Sequence, residues 1–336
     1  MRGLCAGLAL ALMVGAAQAD TKTLKWSDLD GWARDDLVLA RSVFLETCGD
    51  LDADWALACK GAAAKGSARA FFEAAFQPVL IGGNEDGLFT GYYEPELRGS
   101  RNQTGAYQYP LHRLPDDIPR GAPWISREEI ETSGVLAGRG LEIVWLADPV
   151  EKFFLQVQGS GRIRLEDGSV VRVGFGGRNG HSYRSVGREM IRLGIFEEHE
   201  ASAQRIKRWV RANPDKGLKM LWHNPSYIFF REIEGLHYSK GPLGAMNRPI
   251  TAGRSIAVDP DIVPLGAPVW LEKDGAEPLR RLMVAQDTGS AIAGAQRADI
   301  FYGSGDEAGE TAGRIRDSGR MIVLLPAQRA RALARN

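Results

Sequence analysis

Long apolar runs and cysteines are scarce in this chain of 336 residues. One pronounced apolar run covers residues 4–17, which is too short for a membrane-spanning helix. Arg2 precedes it, and Ala17-Gln18-Ala19 follows as a small-x-small cleavage signal. We therefore predict that residues 1–19 are a secretory signal peptide. The mature chain is then expected to begin at Asp20 and to be exported, soluble and without a membrane span.

An excess of one charge sign is missing as well. The 42 basic side chains equal the 42 acidic ones, and removal of Arg2 leaves 41 against 42, a net charge of −1. Proteins that bind nucleic acid through its phosphates carry a clustered basic excess. The sequence therefore predicts no nucleic-acid partner.

Histidine is rare, which bears on metal chemistry. The five histidines stand at 112, 181, 199, 223 and 237, without the i+3 or i+4 pairing of a helical metal site. The chain has no Gly-x-Ser-x-Gly nucleophile motif, and the glycine-rich residues 174–180 lack the spacing of a phosphate-binding loop. We predict neither a bound metal nor a cofactor.

Two cysteines are left once Cys5 leaves with the signal peptide. In an oxidising compartment, Cys48 and Cys59 are expected to form a disulfide. Gly49 can end one helix and Asp50 or Asp52 can cap the next, so a turn there could bring the two Cα atoms within the ~7 Å that a disulfide allows. Two free, buried thiols are the alternative.

The patterning changes three times along the chain. Helical spacing of apolar residues covers 26–80, strands and loops follow over about 100–175, and helices return at 184–193 and 201–212. The strands predicted in the middle region cover 142–146, 153–157 and 170–173. After residue 240 we predict five strands at 255–258, 268–272, 279–286, 298–302 and 321–325, with one helix at 307–316. Several short strands in so few residues favour a small closed β-barrel.

Among the acidic residues, Asp287 opens an Asp-Thr-Gly-Ser tetrapeptide like that of an aspartic protease. Such proteases need two carboxylates that share one proton, and no second Asp-Thr-Gly or Asp-Ser-Gly occurs. The tetrapeptide is therefore a poor argument for a protease. Asp259, before a proline, and Asp287, before Thr-Gly, each fit a simple turn role.

Asp299 is different because it lies inside the apolar strand pattern Ala-Asp-Ile-Phe-Tyr. Apolar surroundings destabilise the charged form of a carboxyl, so it keeps its proton to higher pH. That is the property of a general acid that protonates a glycosidic leaving group. From the residues alone, a catalytic role and a structural role for Asp299 both stay open.

Several longer motifs, in order along most of the mature chain, carry a family resemblance. They occupy residues 89–95 (Phe-Thr-Gly-Tyr-Tyr-Glu-Pro), 154–162, 177–187, 224–230 and 241–245, followed by three aspartate motifs at 255–260, 287–289 and 298–301. The set resembles the family of the membrane-bound lytic transglycosylase A, enzymes that cleave the glycan strands of bacterial peptidoglycan. Many relatives carry a lipidated cysteine at the cleavage site. Here Cys5 lies too early for that, so a soluble periplasmic protein is expected rather than an outer-membrane lipoprotein.

The resemblance implies a mainly β fold with helices, of the α+β class. A double-psi β-barrel would hold an inserted second β-rich domain, with a groove between them. The barrel would be formed by residues 20–97, which include the N-terminal helical segment, and by residues 241–336, the three-aspartate domain. The insert would cover residues 98–240.

The resemblance also places functional roles on this sequence. It implies that Asp299 is the catalytic acid and base, with Asp287 and Asp259 as companion aspartates, Asp287 catalytic and Asp259 toward the substrate. Six further residues are expected in the groove, although core packing or loop support would explain each of them equally well: Tyr92, Gln158, Ser160, Tyr183, Ser185 and Arg188.

The resemblance implies a lytic transglycosylase that cleaves the β-1,4 bond between N-acetylmuramic acid and N-acetylglucosamine and leaves 1,6-anhydro ends. Its expected partners are peptidoglycan glycan strands, with other cell-wall enzymes as further candidates, and it is expected to be a monomer. Two alternatives stay open. A water-using endoglycanase of the muramidase type would employ Asp299 with Asp287 as base, and a non-catalytic module would bind polysaccharide without cutting it.

Overall fold

The computed structural model describes residues 20–83, 87–119 and 121–333. The predicted signal peptide lies outside these ranges. Within them the structure has ten α-helices: α1 (Leu37–Thr47), α2 (Ala56–Ala63), α3 (Ala68–Ala75), α4 (Arg127–Ser133), α5 (Pro149–Gln158), α6 (Val186–Arg192), α7 (Ala203–Ala212), α8 (Pro214–Trp222), α9 (Asp306–Ala312) and α10 (Ala327–Leu333).

The described ranges also contain fifteen strands. They are β1 (Thr21–Thr23), β2 (Phe76–Ile81), β3 (Leu88–Glu94), β4 (Glu96–Ser100), β5 (Tyr109–His112), β6 (Glu142–Leu146), β7 (Gly161–Arg164), β8 (Val170–Arg178), β9 (Ile228–Glu232), β10 (Ser255–Val258), β11 (Pro268–Lys273), β12 (Leu279–Thr288), β13 (Arg297–Ser304), β14 (Arg316–Asp317) and β15 (Gly319–Pro326).

The strands form two sheets, one built from the two ends of the sequence and one from its middle. The nine-stranded sheet has the order β1-β2-β15-β11-β12-β10-β13-β3-β14 and takes its strands from both ends of the sequence. The six-stranded sheet has the order β5-β6-β4-β7-β8-β9 and is built from the residues between β3 and β10. The predicted α+β class is confirmed. The double-psi connectivity of the barrel and the domain bounds at residues 98 and 240 stay predictions.

The core of the nine-stranded sheet is almost wholly apolar. Every residue of β10 and β11 is buried, and Val269, Trp270 and Leu282 have no exposed surface. Helices α1 and α3 add Phe44 and Phe72 to the same core. Burial of so much apolar surface makes this sheet a rigid support for the side chains at its edge.

Helix α5 corrects one sequence prediction, because residues 153–157 were expected to form a strand. The Asp148 side chain accepts a hydrogen bond from the Val150 N–H, and Pro149 occupies the first turn, so the two residues start a helix. Val150, Phe153 and Phe154 then pack against the apolar faces of α6, α7 and α8. The strand prediction was wrong because a window of five β-favouring residues hides the helical spacing of the whole segment.

The predicted bond between Cys48 and Cys59 is present, with 5.6 Å between the Cα atoms. Helix α1 ends at Thr47, a short 3-10 turn follows, and the side chain of Asp52 caps the next turn at the Asp54 N–H. The chain therefore reverses between the two cysteines, as their separation requires.

None of the helices in the described ranges combines the length and the apolar character needed to cross a bilayer.

Candidate active site

Four neighbouring strands place two acidic residues in one row, which we call the aspartate row. Its members, in the order β12, β10, β13 and β3, are Asp287, Ala257, Asp299 and Thr90. Residues paired across a sheet project from the same face. The two aspartates are two strands apart, or roughly 10 Å between backbones, and the small Ala257 lies between them.

A register shift at Ile256/Ala257 in the β10–β12 pair accompanies this arrangement. Such irregularities re-aim side chains and are common beside active sites. Here the shift brings Asp287, rather than Gln286, opposite Ala257.

Asp287 is fully engaged by hydrogen-bond donors. Its Oδ1 accepts the backbone N–H groups of Ala245 and Thr288, each at 2.9 Å. Its Oδ2 accepts the hydroxyl of Tyr92, also at 2.9 Å. Three donors on two oxygens fix the orientation of this carboxyl.

Asp299 is engaged on one oxygen only. Its Oδ1 accepts the Thr90 hydroxyl at 2.6 Å, and Arg297 donates to the same hydroxyl at 2.8 Å. Within the described part of the chain, no protein group hydrogen-bonds its Oδ2. That oxygen is therefore free to exchange a proton with a bound molecule.

Both carboxyls hold their protons more strongly than a free aspartate. Burial is the main cause that raises the pKa of Asp287 to about 6; the hydrogen bonds from Thr288, Tyr92 and Ala245 oppose this rise, and the charge of Asp299 contributes to it. Burial also raises the pKa of Asp299, opposed by the Thr90 hydroxyl and the Arg297 charge. Each of the two aspartates is partly exposed as a residue, whereas its carboxyl group is largely surrounded by protein. The site can therefore supply a neutral carboxylic acid at mildly acidic pH.

Tyr92 is the predicted groove residue that the structure places directly against an aspartate. It lies on β3, and its ring packs on Phe301 with 5.3 Å between centroids. Burial, followed by the nearby charge of Asp287, raises the pKa of Tyr92 well above the usual value. The tyrosine thus stays a neutral donor to Asp287.

Gln158 lies at the end of α5 and approaches the same strand. Its Oε1 accepts the backbone N–H of Tyr93 at 3.0 Å. This bond ties the inserted region to β3 one residue beyond Tyr92. Ser160, two residues further along, is buried.

Three other predicted groove residues sit around the start of α6. The Ser185 side chain caps this helix by accepting the N–H of Arg188, whose side chain is exposed. Tyr183 is half-buried, and burial raises the pKa of its hydroxyl. Among the described residues, no hydrogen bond connects any of the three to an aspartate of the row.

Asp259, the third predicted aspartate, is a turn residue in this structure. Its carboxylate accepts the backbone N–H groups of Asp261 at 3.1 Å and Gly294 at 2.8 Å. Gly294 belongs to the loop between β12 and β13. Asp259 thus holds the loop that separates Asp287 from Asp299, and a contact with substrate stays a prediction.

Sequence reasoning missed a buried group at the other end of β3, which we call the Glu94 cluster. Glu94 has no exposed surface and accepts hydrogen bonds from Arg162 at 2.8 Å, Arg172 at 2.8 Å and Ser304 at 2.7 Å. The two arginines come from β7 and β8 of the six-stranded sheet. The cluster therefore joins the two sheets. Its central residue, Glu94, lies on β3, the strand that also contributes Thr90 to the aspartate row.

Thr90 and Arg297 were also missed. Both stand beside residues that the motifs singled out, but their roles depend on pairing between β3 and β13, which are far apart in sequence. The available signal was the alternation of Thr90, Tyr92 and Glu94, which places all three side chains on one face of a strand.

In the part of the chain that the structure describes, no group of three or more His, Cys, Asp or Glu side chains has the geometry to hold a metal ion.

Comparison with known proteins defines the class of this one. Residues 88–231 match the family described as the MltA specific insert domain, and residues 254–325 match the 3D domain. The membrane-bound lytic murein transglycosylase A of Escherichia coli K12 is 35% identical over 247 residues, which are 70% of this chain and 65% of that protein. The Vibrio cholerae protein of the same name is 32% identical over 258 residues, 73% of this chain and 67% of that one.

Solved structures agree with these matches. A membrane-bound lytic murein transglycosylase from Agrobacterium tumefaciens superposes with a TM-score of 0.84 at 33% identity, covering 93% of this chain and 99% of the other. E. coli MltA with bound chitohexaose gives a TM-score of 0.71 at 28% identity, covering 87% and 90%. The chain therefore belongs to the membrane-bound lytic murein transglycosylase A family.

Proposed function

We propose that the protein is a peptidoglycan lytic transglycosylase. It cleaves the β-1,4 bond between N-acetylmuramic acid and N-acetylglucosamine and leaves a 1,6-anhydro end. Family membership supports the reaction class, and the chitohexaose bound to the E. coli relative supports a β-linked amino-sugar chain as ligand.

The observation that carries the mechanism is the difference between the two aspartates. Among the described residues, one carboxyl oxygen of Asp299 has no protein donor, whereas both oxygens of Asp287 accept hydrogen bonds. A residue that first gives and then takes a proton needs an accessible oxygen. Asp299 is therefore the acid and base, and Asp287 is a fixed neighbour whose own pKa is raised in part by the charge of Asp299.

The reaction proceeds in two steps. Asp299 gives its proton to the glycosidic oxygen, and the bond from that oxygen to the muramic acid C1 breaks with its electron pair leaving on the oxygen. The Asp299 carboxylate then takes the proton of the muramic acid 6-hydroxyl while O6 bonds to C1. Because the nucleophile belongs to the same sugar, the second step is effectively unimolecular and needs no water.

A water-using hydrolase is the runner-up, with Asp287 as the base. An inverting hydrolase needs a second carboxylate free to activate water. The Asp287 oxygens already accept three donors, which argues against that role. A binding module without activity is disfavoured because the raised pKa of Asp299 has no structural benefit.

Substrate contacts follow the residues nearest the row. Tyr92 and Gln158 are proposed to line the sites next to the scissile bond, since both lie on or against β3. Ser160, Tyr183, Ser185, Arg188 and Asp259 are proposed for the flanks of the groove. Monomeric state and other cell-wall enzymes as partners stay predictions.

The product decides between transglycosylase and hydrolase. Purified sacculi are digested in ¹⁸O-labelled water, and the released muropeptides are weighed by mass spectrometry. We expect unlabelled 1,6-anhydro ends. Labelled reducing ends as the main product would make the protein a muramidase-type hydrolase, and unchanged sacculi would leave only the binding module.

We also propose that the protein works in the periplasm after cleavage behind Ala19. The small-x-small pattern before Asp20 supports this proposal. Intact-mass measurement of the protein from a periplasmic extract tests it. A retained Cys5 that carries acyl chains would contradict it.

A further inference from the structure

The Thr90 hydroxyl lies between a guanidinium and the proposed catalytic acid. Arg297 donates from its Nη2 to Thr90 Oγ1 at 2.8 Å, and Thr90 Oγ1 lies 2.6 Å from Asp299 Oδ1. The same arginine is held by the backbone carbonyls of Leu88 and Ala298 at 3.2 Å and 2.6 Å. The guanidinium is therefore fixed, and the hydroxyl is fixed with it.

Donor and acceptor counting then sets the direction of each bond. Arginine can only donate, so it occupies a lone pair of the Thr90 oxygen and cannot take the hydroxyl proton. That proton needs an acceptor, and within the described residues the acceptor in reach is Asp299 Oδ1. The hydroxyl thus donates to Oδ1 whether the carboxyl is charged or neutral.

From this one-way chain we infer that Thr90 is a positioning residue that forces the proton of neutral Asp299 onto Oδ2. Oδ2 is the oxygen without a protein partner among the described residues. The inference rests on the proposed function, since it explains how the acid presents its proton to the glycosidic oxygen. Arg297 is the second member of this hydrogen-bond chain. Because it donates to Thr90 Oγ1, it keeps the threonine hydroxyl directed as a donor toward Asp299.

The surroundings of Asp299 also matter for its titration. Arg297 and Tyr302 face it from its own strand, Tyr92 faces it from β3, and Asp287 from β12. Of these groups, Arg297 alone favours the charged form, and its effect reaches the carboxyl partly through Thr90. Removing the hydroxyl therefore destabilises the carboxylate and raises the pH at which Asp299 loses its proton.

The test compares Thr90→Val, which keeps the shape of the side chain without the hydroxyl, with Thr90→Ser, which keeps the hydroxyl. Arg297→Met breaks the chain one step further away. Thr23→Val is the matched control, because it makes the same change at an exposed position on β1 at the opposite edge of the sheet. Thermal unfolding confirms that each variant is folded.

We expect Thr90→Val to lower kcat about 10–100-fold, because the acid proton can then occupy Oδ1 as well as Oδ2. The alkaline limb of the rate profile should move up by roughly one pH unit, since the carboxylate loses a hydrogen bond. Arg297→Met should shift both quantities in the same direction. Thr90→Ser should restore them, and Thr23→Val should leave them unchanged.

A second measurement keeps the inference separate from the proposed function. The Asp299 carboxyl is titrated by ¹³C NMR in the full chain, with its signal assigned by its loss in Asp299→Asn. A higher titration midpoint in Thr90→Val supports the inference even if the products turn out to be hydrolysed ends. An unchanged midpoint, or a Thr90→Ser variant that behaves like Thr90→Val, would overturn it.

Discussion

The two ends of strand β3 handle buried carboxyl groups differently. At one end, Glu94 meets two guanidinium groups and a hydroxyl from neighbouring strands. At the other, Asp287 and Asp299 form no ion pair within the described residues and receive only hydroxyl and backbone N–H donors. A carboxylate paired with guanidinium groups holds structural elements together, whereas a buried carboxyl without an ion-pair partner keeps its proton to higher pH and can donate it. One end of β3 thus carries a structural ion-pair cluster, and the other end pairs with β13, which carries the carboxyl that we propose as reactive.

The largest effect is expected when the proton of Asp299, the proposed acid, is removed. Asp299→Asn keeps the shape of the side chain, but an amide cannot act as the acid, so turnover on sacculi should fall by about 10²–10⁴-fold. Thermal unfolding should show a folded protein. Asp215→Asn, an exposed change in the first turn of α8, should keep wild-type activity. An active Asp299→Asn together with an inactive Asp287→Asn would reverse the assignment of the two aspartates.

Glu94→Gln removes the charge at the centre of the Glu94 cluster. The change leaves two buried arginines without a full counter-charge, which should lower the free energy of unfolding by roughly 3–5 kcal/mol. Urea unfolding measures this.

Glu198→Gln is the matched control, because Glu198 pairs with Arg316 across the same two regions but both side chains are more than half exposed. Its effect should be below about 1 kcal/mol. Equal losses in the two variants would mean that burial at Glu94 has no special weight.

The free energy of unfolding, measured over a pH series, tests the raised pKa of Asp287. Burial raises the pKa of Asp287 to about 6 in the folded protein from 3.8, so the folded state binds more protons than the unfolded state between these values. Stability contributed by this group is therefore present below about pH 4 and is lost as the pH rises to about 6. Relative to wild type, Asp287→Asn should gain up to about 3 kcal/mol over that window. Parallel urea curves at pH 4 and pH 7 would contradict the raised pKa.

The smallest effect is expected at the disulfide, which is distant from both ends of β3 in sequence. Replacing Cys48 and Cys59 by serine should lower the free energy of unfolding by about 2–3 kcal/mol for so short a loop. The loss should be equal at pH 5 and pH 7, because a disulfide does not titrate. A pH-dependent loss would mean that the bond acts on the aspartates.

Prediction from sequence succeeded for strands that can be recognised from their own residues alone. The runs at 255–258 and 298–302 correspond to β10 and to the middle of β13, because buried strands show unbroken apolar residues. Asp299 was conspicuous for the same reason, as a carboxyl within such a run. The inserted region was harder, because α5 and α8 begin with proline at the first turn. Pro149 and Pro214 were not read as helix starts, although proline is favoured at that position.

The partners of the aspartates could not be predicted, for a physical reason. Thr90 and Arg297 meet only because β3 and β13 pair in parallel with a defined register. Glu94 gains its partners from a different sheet. Nothing in a local window specifies such non-local pairs, so the motif resemblance singled out the residue that we propose as reactive but left its supporting contacts unknown.

The order of strands also sets when the protein can become active. Asp299 and Thr90 are 209 residues apart in sequence, and β2 pairs with β15 near the end of the described chain. Contacts between distant segments form late in folding. A chain that emerges from its N-terminus therefore carries Thr90 and Tyr92 long before it carries either aspartate. The site that we propose as catalytic is therefore incomplete until β13 has been made and has paired with β3.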